Sequence, residues 1–191
     1  VLAALALLIG PTMNLVRSLF AAILALALLG ACAGPTPASY ATQQPKLDMR
    51  QYFDGKLVGH GMFMDRSGEV QRRFVVSIQA SWQGDTGTLD EDFVWSDGKR
   101  ERRVWTLKPV AGEPGRWRGT AADVIGEAQG TISGNALHWT YRMQLPVDGK
   151  TYEVGFDDWM FLIDREVMLN RAVMSFWGMR VGEVFISFRK L

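Results

Sequence analysis

Four charged residues fall where the alternation of a β-strand places apolar side chains. Glu91 is in phase with Leu89, Phe93 and Trp95, and Arg103 with Trp105 and Leu107. Asp158 is in phase with Tyr152, Val154, Phe156 and Met160, and Arg171 with Val167, Leu169 and Val173. Successive strand residues point to opposite faces, so each of these charges shares an otherwise apolar face. Charges leave water only when they are paired and hydrogen-bonded. Glu91, Arg103, Asp158 and Arg171 therefore form a candidate interior cluster of two acids and two bases. Such a cluster would grip the polar head of a ligand while aromatic neighbours hold its apolar chain. The plain alternative is a salt-bridge network that only fixes the fold. Asp157 is in phase with Trp159, Phe161 and Ile163, so a bulge nearby would swap which aspartate faces inward. Being adjacent on a strand, Asp157 and Asp158 face opposite sides and do not share a catalytic site.

The remaining candidates for chemistry are few. His60 sits in Gly59-His60-Gly61, where the glycines permit a bend or a close backbone approach. His138 falls on a polar face with Thr140, Arg142 and Gln144, which suits a solvated side chain. No metal-ligand spacing supports a metal site, and no metal or cofactor is expected. Gly-x-Ser-x-Gly, a phosphate-binding glycine loop and a dinucleotide fingerprint are all missing from the sequence. No catalytic residue is assigned, and the balance leans away from an enzyme. An enzyme acting on lipid-derived substrates, with Asp158 or Glu91 as acid/base, remains an alternative. Arg100-Glu101-Arg102-Arg103 is a solvated strand end, with contact to anionic lipid head groups as its other use.

The elements that must position these residues are β-strands. Runs near 56–64, 69–82, 87–96, 100–109, 115–121, 127–133, 136–146, 150–163, 166–177 and 182–190 alternate between turn signals. Asp54-Gly55, Asp97-Gly98, Asp148-Gly149 and Gly134-Asn135 supply the positive φ that tight hairpins need. Leu137, Trp139, Tyr141, Met143 and Leu145 share one face, as do Phe74, Val76, Ile78, Ala80 and Trp82. Many sequential hairpins without a long crossover predict an all-β, antiparallel up-and-down barrel, lipocalin-like, of about nine or ten strands. A two-sheet sandwich is the runner-up. A transmembrane barrel is disfavoured, because its lipid-facing band would not tolerate so many charges.

The N-terminus carries the address. An uncharged apolar stretch, Leu19 to Leu29, follows Arg17 and ends at Gly30-Ala31-Cys32, where Cys32 is the only cysteine. The stretch is too short to span a bilayer and suits a signal-peptide core. Cleavage after Ala31 and lipidation of Cys32 make residues 1–31 a lipoprotein signal, with translation expected to start at Met13. A genuine long leader is the alternative. Residues 32–46 are small, polar and proline-rich and read as a lipidated cysteine on a flexible linker. Residues 47–191 form the barrel domain. Ala33 after the cysteine favours the outer membrane by analogy with lipoprotein sorting, with the barrel facing the periplasm. Arg17 is the single charge before Cys32. Without it the whole-chain charge of +1 becomes zero, and no nucleic-acid partner is expected.

Several short motifs resemble, as a set, a family of Gram-negative lipoproteins of unknown function. They are Tyr52-Phe53-Asp54-Gly55, Asp65-Arg66-Ser67-Gly68, Leu89-Asp90-Glu91-Asp92-Phe93, Arg103-Val104-Trp105, Ala122-Asp123-Val124-Ile125-Gly126, Gly134-Asn135-Ala136-Leu137-His138-Trp139, Phe156-Asp157-Asp158-Trp159-Met160 and Asn170-Arg171. The resemblance runs from about Met49 to Lys190 and carries over no catalytic residue. It implies a lipid-anchored, periplasm-facing domain with a lipid-related role. The chain lacks the early Gly-x-Trp of true lipocalins, so their ligand residues do not transfer. The resulting expectation is an outer-membrane-anchored lipoprotein that binds an apolar or amphipathic small molecule, fatty acyl or lipid-like. A structural or assembly lipoprotein with a filled barrel is the other non-enzymatic alternative. The protein partner and oligomeric state are left open.

Overall fold

A computed structural model describes residues 34–191. Met13, Ala31 and Cys32, and with them the signal and its lipidation site, lie outside the described residues. Pro37–Leu191 forms one compact unit. Its strands are β1 (Gly55–Asp65), β2 (Val70–Gln83), β3 (Thr86–Trp95), β4 (Arg100–Pro109), β5 (Arg116–Thr120), β6 (Ala128–Ser133), β7 (Ala136–Val147), β8 (Lys150–Leu162), β9 (Val167–Phe176) and β10 (Met179–Lys190). Each strand pairs antiparallel with its sequence neighbours, and β1 pairs with β10, so the ten strands close into an up-and-down barrel. Closure satisfies both edges of every strand, which a sandwich would not do.

The turns follow the chemistry of their residues. Asp148-Gly149 has positive φ at both positions (50° and 76°), the two-residue turn that matches strand twist. The β9–β10 turn uses the same conformation at Trp177-Gly178 (φ 51° and 77°). Gly178 alone marks that turn in the sequence, because tryptophan is a rare residue with positive φ.

One end of the barrel is plugged. A single helical turn, α1 (Met49–Tyr52), is capped by Asp48, whose side chain accepts from the Arg50 and Gln51 amides. It carries Leu47, Met49, Tyr52 and Phe53 into the core. Trp82 Nε1 donates to the Phe53 carbonyl. Lys190 Nζ donates to the carbonyls of Gln51, Tyr52 and Asp54, and the Tyr52 hydroxyl donates to that of Glu166. The segment expected to be a free linker is docked from Pro37 onward. Tyr40 packs its ring 5.0 Å from Phe161 and 5.5 Å from Trp159, on the outside of β8.

Packing is graded along the barrel axis. Near the plug the inward side chains are sealed, with Leu57, Val76 and Leu137 each 1% exposed. Toward the other end the inward aromatics Phe63, Phe93, Trp95, Tyr141 and Phe156 are only half-buried. Solvent therefore reaches the interior from the end opposite α1.

Gly61 is where the wall must stay bare. It pairs with Phe74, and a Cβ at Gly61 would fall within the Phe74 ring. Gly61→Val is expected to force this buried ring aside and cost about 1–3 kcal/mol, as overpacking of a tight core does. Urea denaturation followed by circular dichroism measures it, and unchanged stability would mean that Phe74 is free to move.

Candidate functional site

Three of the four expected cluster residues meet inside the barrel. Glu91 on β3 and Arg103 on β4 are register partners, and Asp158 on β8 faces the same interior, 5% exposed. Arg171 does not join them. On β9 the inward residues are Met168, Asn170, Ala172 and Met174, all buried, whereas Arg171 is on the outer face with Leu169. The expectation failed because β9 is apolar on both faces, so alternation alone could not say which face is the interior. Arg171 instead pairs with Glu183 of β10, which also holds Arg180 at 3.1 Å.

Arg103 organises one side of the cluster. Its Nε and Nη2 approach Asp123 Oδ2 at 3.0 and 2.9 Å, a forked grip on a carboxylate in the β5–β6 connection. Glu91 stands off at 4.0 Å from Nη1. The guanidinium carbon is 5.5 Å from the Phe93 ring centre, and Nη2 is 3.5 Å from the Met143 sulfur. Burial pulls the Arg103 pKa down, but the Asp123 hydrogen bond and the Glu91 charge outweigh it, and Arg103 stays charged.

Asp158 organises the other side. The Tyr141 hydroxyl donates to Asp158 Oδ2 at 3.4 Å. Tyr141 itself is clamped, stacked on Phe156 at 4.9 Å and edge-on to Trp105 at 5.4 Å. Burial pushes Asp158 up to about 8; the Tyr141 hydrogen bond opposes this and the Asp157 charge adds to it. Glu91 is pushed up to about 7, again by burial, with Arg103 pulling down and Asp123 pushing up. Near neutral pH Asp158 is thus mostly a neutral acid, able both to donate and to accept. Asn170 lies alongside on β9. The Asn170 amide approaches Asp158 and pulls its pKa down, yet at a geometry too loose to give Asp158 Oδ1 or Asn170 Nδ2 a well-formed hydrogen bond among the described residues.

Asp157 takes the outer face, as the strand phase requires, where it meets His138 Nε2 at 3.1 Å. His138 also stacks on Trp159 at 4.4 Å. His60 is exposed on the outer face of β1. Among the described residues no group of three or more His, Cys, Asp or Glu could hold a metal ion.

Tyr141, Asn170 and Asp123 complete the cluster and escaped the sequence reading. Tyr141 stood on a recognised inward face but carries no charge to draw notice. Asn170 is in phase with Met168, Ala172 and Met174, a signal hidden by the competing phase through Arg171. Asp123 lies in a connection that bridges to β7 through Val124 and Met143, and no periodicity reports on it.

Fold and site together define a closed ten-stranded antiparallel barrel, plugged at one end, with a buried acid–base cluster below an aromatic mouth. The chain belongs to the family described as protein of unknown function DUF3833, which matches residues 26–190. No curated protein matches the sequence. Among solved structures, the S-type phycobiliprotein lyase CPES from Guillardia theta is similar with a TM-score of 0.56 and 4% identity, over 76% of this chain and 94% of the lyase. A DUF3598-family protein of unknown function from Nostoc punctiforme is similar with a TM-score of 0.53 and 11% identity, over 84% of this chain and 53% of that one. At these identities the likeness is one of fold.

Proposed function

We propose that this chain is a lipoprotein, anchored in the outer membrane through Cys32 and facing the periplasm, whose barrel binds an apolar or amphipathic small molecule of the fatty acyl type. One observation carries the reading. Beneath a half-buried aromatic lining, a largely neutral acid, Asp158, and an amide, Asn170, adjoin each other out of bulk water with an acceptor and a donor that no well-formed hydrogen bond satisfies. Leaving such groups unpaired costs about 1–3 kcal/mol each, a cost that a ligand's hydroxyl, ester or acid group would remove. The lining around them suits an acyl chain: Phe93, Phe156 and Val184 offer apolar contact with few competing polar atoms. The fold likeness to a phycobiliprotein lyase supports a barrel that handles a small molecule, though it transfers no residue.

Native mass spectrometry of protein extracted from membranes tests this. The expected result is an adduct of acyl-lipid mass, released on denaturation, together with acyl mass on Cys32 that survives denaturation. Tyr141→Phe removes only a hydroxyl and is expected to lower adduct occupancy several-fold. A chain always free of adduct, in a barrel that excludes added fatty acid, would sink the reading.

A further inference from the structure

A second polar feature stands at the open end of the barrel, apart from the Asp158 cluster. Arg72 lies near the start of β2 and shares the inward phase of Phe74, Val76 and Ile78. Trp95 ends β3 and is the register partner of Phe74. Both lie at the strand ends opposite α1. The Arg72 guanidinium carbon sits 4.0 Å from the Trp95 ring centre. Trp95 stacks on Phe93 at 6.3 Å, and Arg103 of the cluster faces Phe93 at 5.5 Å. From cluster to mouth this wall therefore reads Arg103, Phe93, Trp95, Arg72, with ring surface between two guanidinium groups.

The donors at the mouth lack acceptors. Arg72 Nε, Arg72 Nη2 and Trp95 Nε1 are buried without a well-formed hydrogen bond among the described residues. Asp97, on the β3–β4 turn, brings Oδ2 to 2.8 Å from Nη2, an ion pair whose geometry is too loose for such a bond. Its Oδ1 is already taken by the Lys99 amide at 3.0 Å. The Lys99 ammonium is closed on Glu101 at 2.6 Å. The side chains of Arg72 and Asp97 are 32% and 53% exposed, so a carboxylate reaches this guanidinium from the solvent side. Buried N–H groups without acceptors are costly and call for an explanation. One carboxylate offers two oxygens and about four acceptor sites, and a guanidinium meets it in a planar fork.

We propose that Arg72 and Trp95 form a head-group subsite at the barrel mouth, where an acyl ligand keeps its carboxylate while its chain runs inward over Trp95 and Phe93. This rests on the small-molecule reading above and adds the ligand's orientation and its charge. The carboxylate takes the place of Asp97, which turns out into water. The Asp158–Asn170 pair then meets a neutral oxygen further along the chain. The ligand class that satisfies both places is a hydroxylated fatty acid.

Native mass spectrometry of the full lipidated chain, released from detergent micelles, tests this with ricinoleate (a hydroxylated oleate), its methyl ester or oleate added at equal concentration. The natural chain is expected to retain ricinoleate several-fold better than either of the others. Arg72→Gln is expected to bring ricinoleate down to the level of its methyl ester and to leave the ester unchanged. Asp97→Asn keeps the contact to the Lys99 amide but removes the competing charge, and should raise ricinoleate occupancy at least twofold. Equal losses of acid and ester in Arg72→Gln assign Arg72 to wall packing and overturn the subsite, while barrel binding stands. Oleate retained as well as ricinoleate overturns the two-point placement. Where Arg72→Gln does not fold, Asp97→Asn decides alone, and unchanged or lower occupancy overturns the subsite. A natural chain that takes up none of the three removes the binding reading itself, and the proposal falls with it.

Discussion

Asp158→Asn is expected to flatten the pH dependence of barrel stability and to make the protein more stable than the natural chain at pH 8. The folded barrel holds Asp158 up to about 8, against an ordinary 3.8. Between those values the folded chain keeps a proton that the unfolded chain releases. The stability this gives is fully present below about pH 4 and is lost as pH rises toward 8, at up to about 1.4 kcal/mol per pH unit. Glu91 acts in the same direction, from 4.5 to about 7. Asparagine resembles the protonated acid in shape and can still accept from Tyr141, but it cannot ionise. Thermal unfolding from pH 5 to 8 measures the outcome. The natural chain should lose melting temperature across the range, and Asp158→Asn should lose markedly less, with a remaining slope from Glu91. Parallel curves for the two proteins would mean that Asp158 is ionised in the folded state and that the interior is wetter than its burial implies.

The same neutrality bears on what the interior can hold. A charged carboxylate at the centre of an apolar barrel would repel an acyl chain and draw in water. A protonated acid beside Asn170 and Tyr141 instead presents a small polar patch without net charge. A neutral or weakly acidic head group fits that patch, and a strong anion would be better met by Arg103, whose charge Asp123 already occupies.

Much of the fold was legible because ten alternating runs were separated by turn residues, and hairpin follows hairpin with no crossover. Alternation on β2, β3, β4 and β7 assigned the interior correctly, since one face of each is plainly polar. It placed Glu91 beside Arg103 and favoured Asp158 over Asp157. Alternation fails where both faces are apolar, and β9 is that case: Val167, Leu169 and Val173 look as much like a core as Met168, Ala172 and Met174 do. Arg171 belongs to that second apolar face, which is the outer one. The ambiguity has a physical source, because an outer face that looks like a core is one that water does not suit. The segment before the barrel departs from its composition for a related reason: small and polar residues from Pro37 to Pro45 carry no strand period, yet Tyr40 packs its ring on β8 and the Pro37–Tyr40 turn lies against β6 and β7.

Arg103→Met carries the other large expected effect. The guanidinium is the cationic partner of both Asp123 and Glu91, and removing one member of a buried ion pair typically costs about 3–5 kcal/mol because the other charge is stranded. Here the two acids should respond differently. Asp123 keeps a third of its side chain exposed and can rehydrate. Glu91 is sealed, and without Arg103 to pull it down it will take up a proton. The loss should therefore be near the lower end of that range at pH 8 and smaller at pH 5, where protonation is cheap. Glu91→Gln in the Arg103→Met background should recover part of the loss at pH 8, because the stranded acid is then absent. Arg103→Lys should not recover it, since an ammonium cannot reproduce the forked contact to Asp123. A double-mutant cycle in urea, run at both pH values, measures the coupling. Additive effects of Arg103→Met and Glu91→Gln at pH 8 would show that the 4.0 Å separation leaves the pair energetically independent. Arg103 would then serve Asp123 alone, clamping the β5–β6 connection to the wall, and Glu91 would belong with Asp158 as a second neutral acid of the buried cluster.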